Sequence, residues 1–441
     1  LADKKISELT AYTPAVDVDL VPIVDSTNGI TKHITWANIK ATLKTYFDSL
    51  YGAILSKASG SDVDTGTDDA KYVTSKAIED SSYAKTAAIP VKATATENVT
   101  GTDDAKFLTS LANVPAFNNS LSRQAIINGN FDVWQRGTSV AMTAANAYTA
   151  DRWYCETATA GTDKTVSRED GTGVNGSYYC ARVKMVGDVD ELLTFSQALE
   201  SQDSIKFRGK KVTLSFYARG GAQFVADNAT LVSKIVTGKG ADQKVLAFTT
   251  SADGVSQNNT LTTSWVKFTC TTTAAIASDI TQIGVSFAFT HAGSGTTTNY
   301  FEITQVQLCA GDVALPFMPK SFEEELRACQ RYCNVLNAGT QSGFSVGFGS
   351  AATTTIALIS LSLGIPMRID PILTATATDW YLTDGATTPT DLTAISIQSS
   401  ANSVISPSIR CEVATGLTQY RPYSLTADNN QNRIMIFSAE L

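Results

Sequence analysis

Charge is scarce in this chain. Only 17% of its 441 residues are Asp, Glu, Lys or Arg, against roughly 25% in an average soluble protein. The Lys and Arg are scattered, with no basic run longer than a pair such as Lys4-Lys5 or Lys210-Lys211, and the net charge is −8. Binding to nucleic acid by counterion release needs clustered cations, so no nucleic-acid partner is expected. Long hydrophobic runs are missing too. The longest early one, Leu20-Val21-Pro22-Ile23-Val24, falls far short of the ~18 apolar residues that span a membrane as a helix. No membrane insertion is expected, and lysines near the start without an apolar stretch behind them give no signal-peptide pattern. Histidine is nearly absent: His33 and His291 are the two, and neither lies in a motif. A serine triad would have to use one of them. There is no G-x-S-x-G elbow and no phosphate-loop or dinucleotide fingerprint. The expectation is no enzyme and no organic cofactor.

Cysteine is present but in an odd number: Cys155, Cys180, Cys270, Cys309, Cys329, Cys333 and Cys411. An odd count in a long chain argues against a disulfide framework. Cys329 and Cys333 are four apart on an expected helix, but a lone pair with no His nearby falls short of the four ligands of a closed zinc site. The expectation is small buried hydrophobes in a chain made in a reducing cytoplasm.

What the chain does have is threonine, 58 residues of it, and 43% hydrophobic residues. Thr is β-branched and suits a half-buried pleated surface. The composition predicts strands with polar outer faces. Residues 1–35 read as a small β-rich head. In it the apolar run 20–24 and a returning Ile30-Thr31-Lys32-His33-Ile34 flank the turn signal Ser26-Thr27-Asn28-Gly29, a hairpin pattern. Thr35 can cap a helix over 36–57. There Trp36, Ile39, Leu43, Tyr46, Leu50 and Ala53 are spaced 3-4-3-4-3, an a/d seam that predicts self-association. A segment over 58–122 holds an internal repeat. Thr65-Gly66-Thr67-Asp68-Asp69-Ala70-Lys71-Tyr72-Val73-Thr74-Ser75 recurs 35 residues later as Thr100-Gly101-Thr102-Asp103-Asp104-Ala105-Lys106-Phe107-Leu108-Thr109-Ser110. Two units cannot bury their own faces as a solenoid, so the repeat suits a shaft shared with other chains. Its Thr-Asp-Asp reads as a helix entry, hydroxyl cap followed by acids.

Residues 123–320 carry period-two alternation punctuated by Gly, Asn and Ser. Examples are Lys211-Val212-Thr213-Leu214-Ser215-Phe216-Tyr217-Ala218 and Gln282-Ile283-Gly284-Val285-Ser286-Phe287-Ala288-Phe289. Many half-buried strands with turn signals predict a sandwich or jelly roll. A helix linking the domains is expected over 321–336, with Glu323-Glu324-Glu325 first and Arg327 and Arg331 last, as the helix dipole favours. Residues 337–441 are again β-patterned, as in Thr354-Thr355-Ile356-Ala357-Leu358-Ile359-Ser360-Leu361 and Arg433-Ile434-Met435-Ile436-Phe437-Ser438-Ala439.

At this point the chain resembles bacteriophage tail-fibre and related receptor-binding fibre proteins. The head, with Lys5-Ile6-Ser7-Glu8-Leu9 and Pro22-Ile23-Val24-Asp25, looks like the virion-attachment start of such fibres. The Gly-Thr-Asp-Asp-Ala-Lys repeat resembles their shaft repeats, which carry Thr-Pro where this chain has Thr74-Ser75 and Thr109-Ser110. The body opens with Ile127-Asn128-Gly129-Asn130-Phe131-Asp132-Val133-Trp134-Gln135-Arg136-Gly137 and Tyr148-Thr149-Ala150-Asp151-Arg152-Trp153. It closes with Phe301-Glu302-Ile303-Thr304-Gln305-Val306-Gln307-Leu308 through Pro319, then Cys329-Gln330-Arg331-Tyr332. Those ends are similar to a fibre module with a carbohydrate-binding-type jelly roll, where many relatives have an acid in place of Cys309.

The resemblance implies a mainly β homotrimeric fibre. It would have an N-terminal β attachment head, a short helical or coiled-coil shaft with repeats, a jelly-roll body and a C-terminal β-sandwich tip. The implied location is the virion surface, with other virion proteins (a tail or collar adaptor, or the capsid) as partners through the N-terminus and bacterial surface polysaccharide as the ligand. Two other readings stand beside it: a structural head fibre or tail-collar adaptor, and a capsule depolymerase using two carboxylates. The β-helical ladder usual for such an enzyme is not visible in the sequence.

Sugar recognition uses aromatic faces with a few polar groups in a shallow cleft. Trp380 and Tyr381 before a Thr-Asp-Gly turn, and Tyr420 and Tyr423 around Arg421-Pro422, are the glycan-binding candidates. Trp134 and Trp153 read as core anchors. Carbohydrate-binding-type jelly rolls often hold a structural calcium, which needs oxygen ligands; Asp132, Asp151 and Glu302 are the acids at the corresponding strands, with Arg136 and Arg152 as competing partners.

Overall fold

In the computed structural model the described residues are 20–24, 31–51, 61, 73, 75–80 and 123–441 apart from 188–189, 228, 292–295, 338–342, 387–388 and 429–432. The chain divides into two compact units, Leu1–Asn113 and Val114–Leu441. Its fold is mainly β.

In the first unit β1 (Leu20–Val24) pairs antiparallel with β2 (Thr31–Thr35), Leu20 opposite Thr35 and Val24 opposite Thr31. This is the hairpin that the two apolar runs predict. Helix α1 (Trp36–Tyr51) follows at once, and the Thr35 hydroxyl accepts from the Asn38 amide at 3.3 Å, satisfying one of the free amides of the first turn. Along the seam Trp36 and Ile39 are half-buried, while Leu43, Tyr46 and Leu50 are exposed. A second short helix, α2 (Ser75–Asp80), buries Ala77. The head before Leu20, the turn 26–29, seam residue Ala53 and nearly all of the repeats at 65–75 and 100–110 lie outside the described residues.

The second unit holds two sandwiches. The first is built from β3 (Ser139–Met142), β4 (Asn146–Tyr148), β5 (Tyr154–Thr157), β6 (Gly161–Asp170), β7 (Tyr179–Met185), β8 (Glu191–Ala198), β9 (Val212–Gly220), β10 (Thr230–Gly238), β11 (Ala252–Thr260), β12 (Val266–Thr271), β13 (Gln282–His291) and β14 (Tyr300–Ala310). One six-stranded sheet runs β11-β10-β13-β8-β5-β4, the other β12-β9-β14-β7-β6-β3, so the chain passes repeatedly between sheets, as in jelly rolls. The alternation is literal in β9. Val212, Leu214, Phe216 and Ala218 enter the shared core, and Thr213, Ser215, Tyr217 and Arg219 lie on the other face. Each such buried large side chain contributes about 1.5–3 kcal/mol.

The opening motif is the keystone of this core. Trp153 stacks on Phe195 with ring centroids 4.8 Å apart and lies 5.1 Å from Phe131. Its indole N–H donates to the Asn128 carbonyl at 3.0 Å, and that of Trp134 to the Phe131 carbonyl at 2.8 Å. Both tryptophans are core anchors, and their polar edges are satisfied, as burial demands. Gly129 is fixed by contact: a Cβ there would lie 2.1 Å from the Val306 carbonyl oxygen, across the register shift that separates Thr304 from Gln307 on β14.

Helix α3 (Phe322–Gln330) opens with a reciprocal cap between Ser321 and Glu324. The helix expected over 321–336 closes at Gln330, and β15 (Cys333–Asn337) already belongs to the second sandwich. Cys329 and Cys333 therefore sit on different elements, and all seven thiols are free and buried. Burial pushes the Cys155 and Cys411 thiols up to about 12, which makes them inert packing groups.

The second sandwich continues with β16 (Ser345–Ala351), β17 (Ile356–Ser360), β18 (Ile372–Ala375), β19 (Trp380–Thr383), β20 (Thr390–Asp391), β21 (Ala394–Ile397), β22 (Ser408–Glu412), β23 (Pro422–Ala427) and β24 (Ile434–Ser438). A three-stranded sheet β15-β24-β18 packs on a seven-stranded sheet β20-β19-β23-β16-β17-β22-β21 around Trp380, Leu425, Ile409, Met435 and Phe437. A buried polar seam joins it to the first sandwich. Glu440 pairs with Arg152 at 2.6 Å and Arg136 at 3.2 Å. Arg152 also lies over the Tyr332 ring, 3.6 Å from its centroid. Glu200 accepts from Arg331 at 3.0 Å and Tyr332 at 2.6 Å, and Arg368 pairs with Asp242 at 2.8 Å.

Candidate ligand-binding site

The loops at one end of the second sandwich gather around Arg421. Its guanidinium pairs with Asp384 at 2.7 Å; the carboxylate is 2% exposed and the cation 37%. An acid so buried needs such a partner, and the cation still reaches solvent. Two open grooves flank this pair. One, of about 560 Å³, is lined by Thr390, Asp391, Thr393, Thr415, Arg421 and Tyr423, among others. The other, of about 320 Å³, is lined by Phe348, Thr383, Asp384, Pro422, Tyr423 and Ser424, among others. Hydroxyls, one ion pair and aromatic rings therefore share a shallow surface.

The four aromatic candidates separate sharply. Tyr420 stands at the tip, 79% exposed, with φ +67°. A bulky side chain in the left-handed region is strained, at a cost of order 1–3 kcal/mol. The backbone holds it there: the Tyr420 amide donates to the Ala351 carbonyl at 2.8 Å, and the Arg421 amide to that of Thr418 at 3.1 Å. Tyr423 is buried beneath and lines both grooves; its hydroxyl accepts from the Thr418 amide at 3.1 Å and so ties the loop down. Tyr381 is half-buried on β19, opposite Thr426 and Asp391. Trp380 is a core residue, 1% exposed, whose indole N–H finds no acceptor. As a ligand contact it is corrected: strand alternation turns it inward with Leu382, away from the turn that follows.

Phe348 is a site residue that sequence reading passed over. It is 70% exposed on β16, between Ser360 of β17 and Ser424 of β23. Its signal was an aromatic between two strand glycines, Gly347-Phe348-Gly349, a pattern of close backbone approach. A Cβ at Gly349 would lie 1.8 Å from the Leu358 carbonyl oxygen.

The three acids proposed for calcium do not form a cage. Glu302, fully buried on β14, is held by Arg182 and Arg219. Asp151 accepts from the amide and side chain of Gln135. Asp132 accepts from Asn130 at 3.3 Å. Burial pushes both aspartates above the usual carboxylate range. Among the described residues no three His, Cys, Asp or Glu side chains are grouped to hold a metal. The acids are occupied by hydrogen-bond donors and guanidinium partners instead.

No protein-family model and no curated protein sequence matches the chain. Among solved structures it is similar to the enzymatically active domain of tailspike protein 4 of bacteriophage CBA120, at 14% identity and a TM-score of 0.28, over 42% of this chain and 21% of that one. It is also similar to TmCBM61 in complex with β-1,4-galactotriose, at 13% identity and TM-score 0.26, over 43% of this chain and 99% of the module. A third likeness is to a CBM4 structure, at 19% identity and TM-score 0.25, over 42% and 97%. The likeness thus spans about a fifth of the solved tailspike domain's length.

Proposed function

We propose that this chain is a fibre protein of a bacteriophage particle that recognises bacterial surface polysaccharide through the loop end of its second sandwich. The observation that carries the reading is Tyr420. A folded chain keeps a strained, solvent-facing aromatic only where the surrounding structure over-determines it, and here it stands beside an ion pair and two hydroxyl-lined grooves. A pyranose ring has an apolar C–H face that stacks on an aromatic ring and an equatorial edge of hydroxyls that pairs with Arg, Asp, Ser and Thr. The surface offers both.

The exposed seam on α1 supports the fibre part of the reading. Leu43, Tyr46 and Leu50, at 46%, 58% and 45% exposure, leave an apolar stripe at coiled-coil spacing that copies of the chain would cover in a trimer. The N-terminal segment then attaches to other virion proteins. The chain binds without cleaving, and no resident cofactor is invoked.

Retention of the purified full chain on immobilised lipopolysaccharide, capsule and teichoic-acid fractions tests the reading. Retention with the polysaccharide recovered at its original length is expected. A chain that passes through every fraction overturns it, and shortened polysaccharide replaces it with a depolymerase.

A further inference from the structure

A third groove lies on the first sandwich, apart from the Arg421 end. It measures about 460 Å³ and is lined by Thr138, Arg168, Glu169, Asp170, Thr172, Tyr178 and Tyr179. Tyr178 is the one aromatic of the described residues between 123 and 320 that is mostly exposed, at 65%. Its ring is pre-set. It meets Tyr179 edge to face with centroids 4.6 Å apart, and the Arg168 guanidinium lies 4.1 Å from the Tyr179 centroid. A ring already fixed in place loses little conformational freedom when a ligand stacks on it.

The groove offers both acceptors and donors. Asp170 Oδ1 accepts both the amide and the hydroxyl of Thr172, at 2.8 and 2.6 Å, which leaves Oδ2 its lone pairs. Those same two bonds hold the Asp170 carboxyl below its usual range. Glu169 accepts from Ser167 at 2.8 Å and lies 3.4 Å from Arg182. A ligand here finds an aromatic face, an Asp170 carboxylate that accepts from hydroxyls, and the hydroxyls and N–H groups of Thr138, Thr172 and Arg168.

We infer that this groove is a second saccharide site with a preference for neutral sugars. Stacking on Tyr178 takes the C–H face of a pyranose, and Asp170 takes its hydroxyls. The charge of Asp170 repels the carboxylate of an acidic sugar, so neutral sugars are favoured over uronates. The chain then binds glycan at two places, one per sandwich. Linking two weak sites raises overall affinity without new contacts. The ligand class rests on the glycan reading above, whereas the site rests on the Tyr178 groove alone.

The test uses the full chain and four soluble probes: oligosaccharides of galactan, glucan, mannan and polygalacturonate. Affinities are measured by calorimetry in the wild type and in a background carrying Tyr420→Ala and Arg421→Ala. In that background a neutral oligosaccharide still binds. Tyr178→Ala weakens it at least tenfold, the loss expected for an aromatic stacking partner, and Tyr178→Phe stays within about threefold. Asp170→Asn weakens the neutral probe and strengthens oligogalacturonate. If the wild type binds and the background does not, the second site is overturned and the Arg421 end stands; if Tyr178→Ala binds as its parent does, the second site is overturned. If the background matches the wild type and Tyr178→Ala removes all binding, the second site stands and the Arg421 end falls. A wild type that binds none of the probes overturns the neutral-sugar assignment.

Discussion

Glu440 is the residue on which the joint between the sandwiches turns. Its side chain is 4% exposed, and its two oxygens face Arg152, 2% exposed, and Arg136, 12% exposed. Replacing it by Gln keeps the shape and removes the charge. Arg152 keeps the Ala198 carbonyl at 2.8 Å and the Tyr332 ring, but neither neutralises a buried cation. Breaking one partner out of a buried pair costs about 3–5 kcal/mol. At about 2.1 cal/mol/K of unfolding entropy per residue, a unit as long as residues 114–441 loses about 0.7 kcal/mol per degree, so the melting temperature should fall by about 4–7 °C. Urea unfolding of Glu440→Gln, read by tryptophan fluorescence, measures this directly. A triple change, Glu440→Leu with Arg152→Met and Arg136→Met, should recover most of the loss, since apolar groups of similar volume replace buried ion pairs at little cost. A loss below about 1 kcal/mol in Glu440→Gln, the value of an exposed pair, refutes the reasoning.

Three other outcomes follow. Burial pushes Glu200 up, but the bonds from Arg331 and Tyr332 outweigh it and leave its carboxyl below the usual range. The stability this adds is whole above the unfolded carboxyl's value of about 4.3 and is lost as pH falls through the lower native value. Stability curves below pH 4.3 should therefore flatten in Glu200→Gln; an unchanged acid limb counts against the pairing. Tyr420→Gly relieves about 1–2 kcal/mol of left-handed strain and gives back about half in unfolded-chain entropy. It should raise stability by about 0.5–1 kcal/mol in urea while weakening polysaccharide retention, and a destabilised variant contradicts the assigned strain. Replacing Leu43, Tyr46 and Leu50 together by Ser should convert a trimer to a monomer in light scattering; a wild-type monomer, or a trimer in the variant, sinks the seam.

The strands were legible because their chemistry repeats every two residues. Val212, Leu214, Phe216 and Ala218 could be assigned to a core without any partner in view, as could Ile283, Val285, Phe287 and Phe289. The hairpin and the helix start at Thr35 were legible because a turn signal and a capping hydroxyl act within a few residues. What escaped was set by distance along the chain. The pairing of Glu440 with Arg152 spans 288 positions, and no local pattern encodes it. Glu302 read as a candidate ligand until β7 and β9 brought Arg182 and Arg219 to either side of it. Trp380 and Tyr420 look alike in sequence, as aromatics near polar turns. Strand parity hides the one, and a left-handed backbone raises the other. Phe348 was missed because exposure on a sheet is decided by what packs over it, and Tyr178, in the bend before β7, because nothing local says whether a turn is covered.

The central claim is that the Tyr420–Arg421 end recognises bacterial surface polysaccharide. The most direct measurement is the dissociation constant of a retained polysaccharide for the wild type, Tyr420→Ala and Trp380→Phe, all compared at equal folded fraction. The account predicts at least a tenfold weaker constant in Tyr420→Ala, in line with the loss of a central aromatic anchor, and no change in Trp380→Phe, whose ring lies in the core. Equal binding by wild type and Tyr420→Ala, or a loss confined to Trp380→Phe, would contradict it.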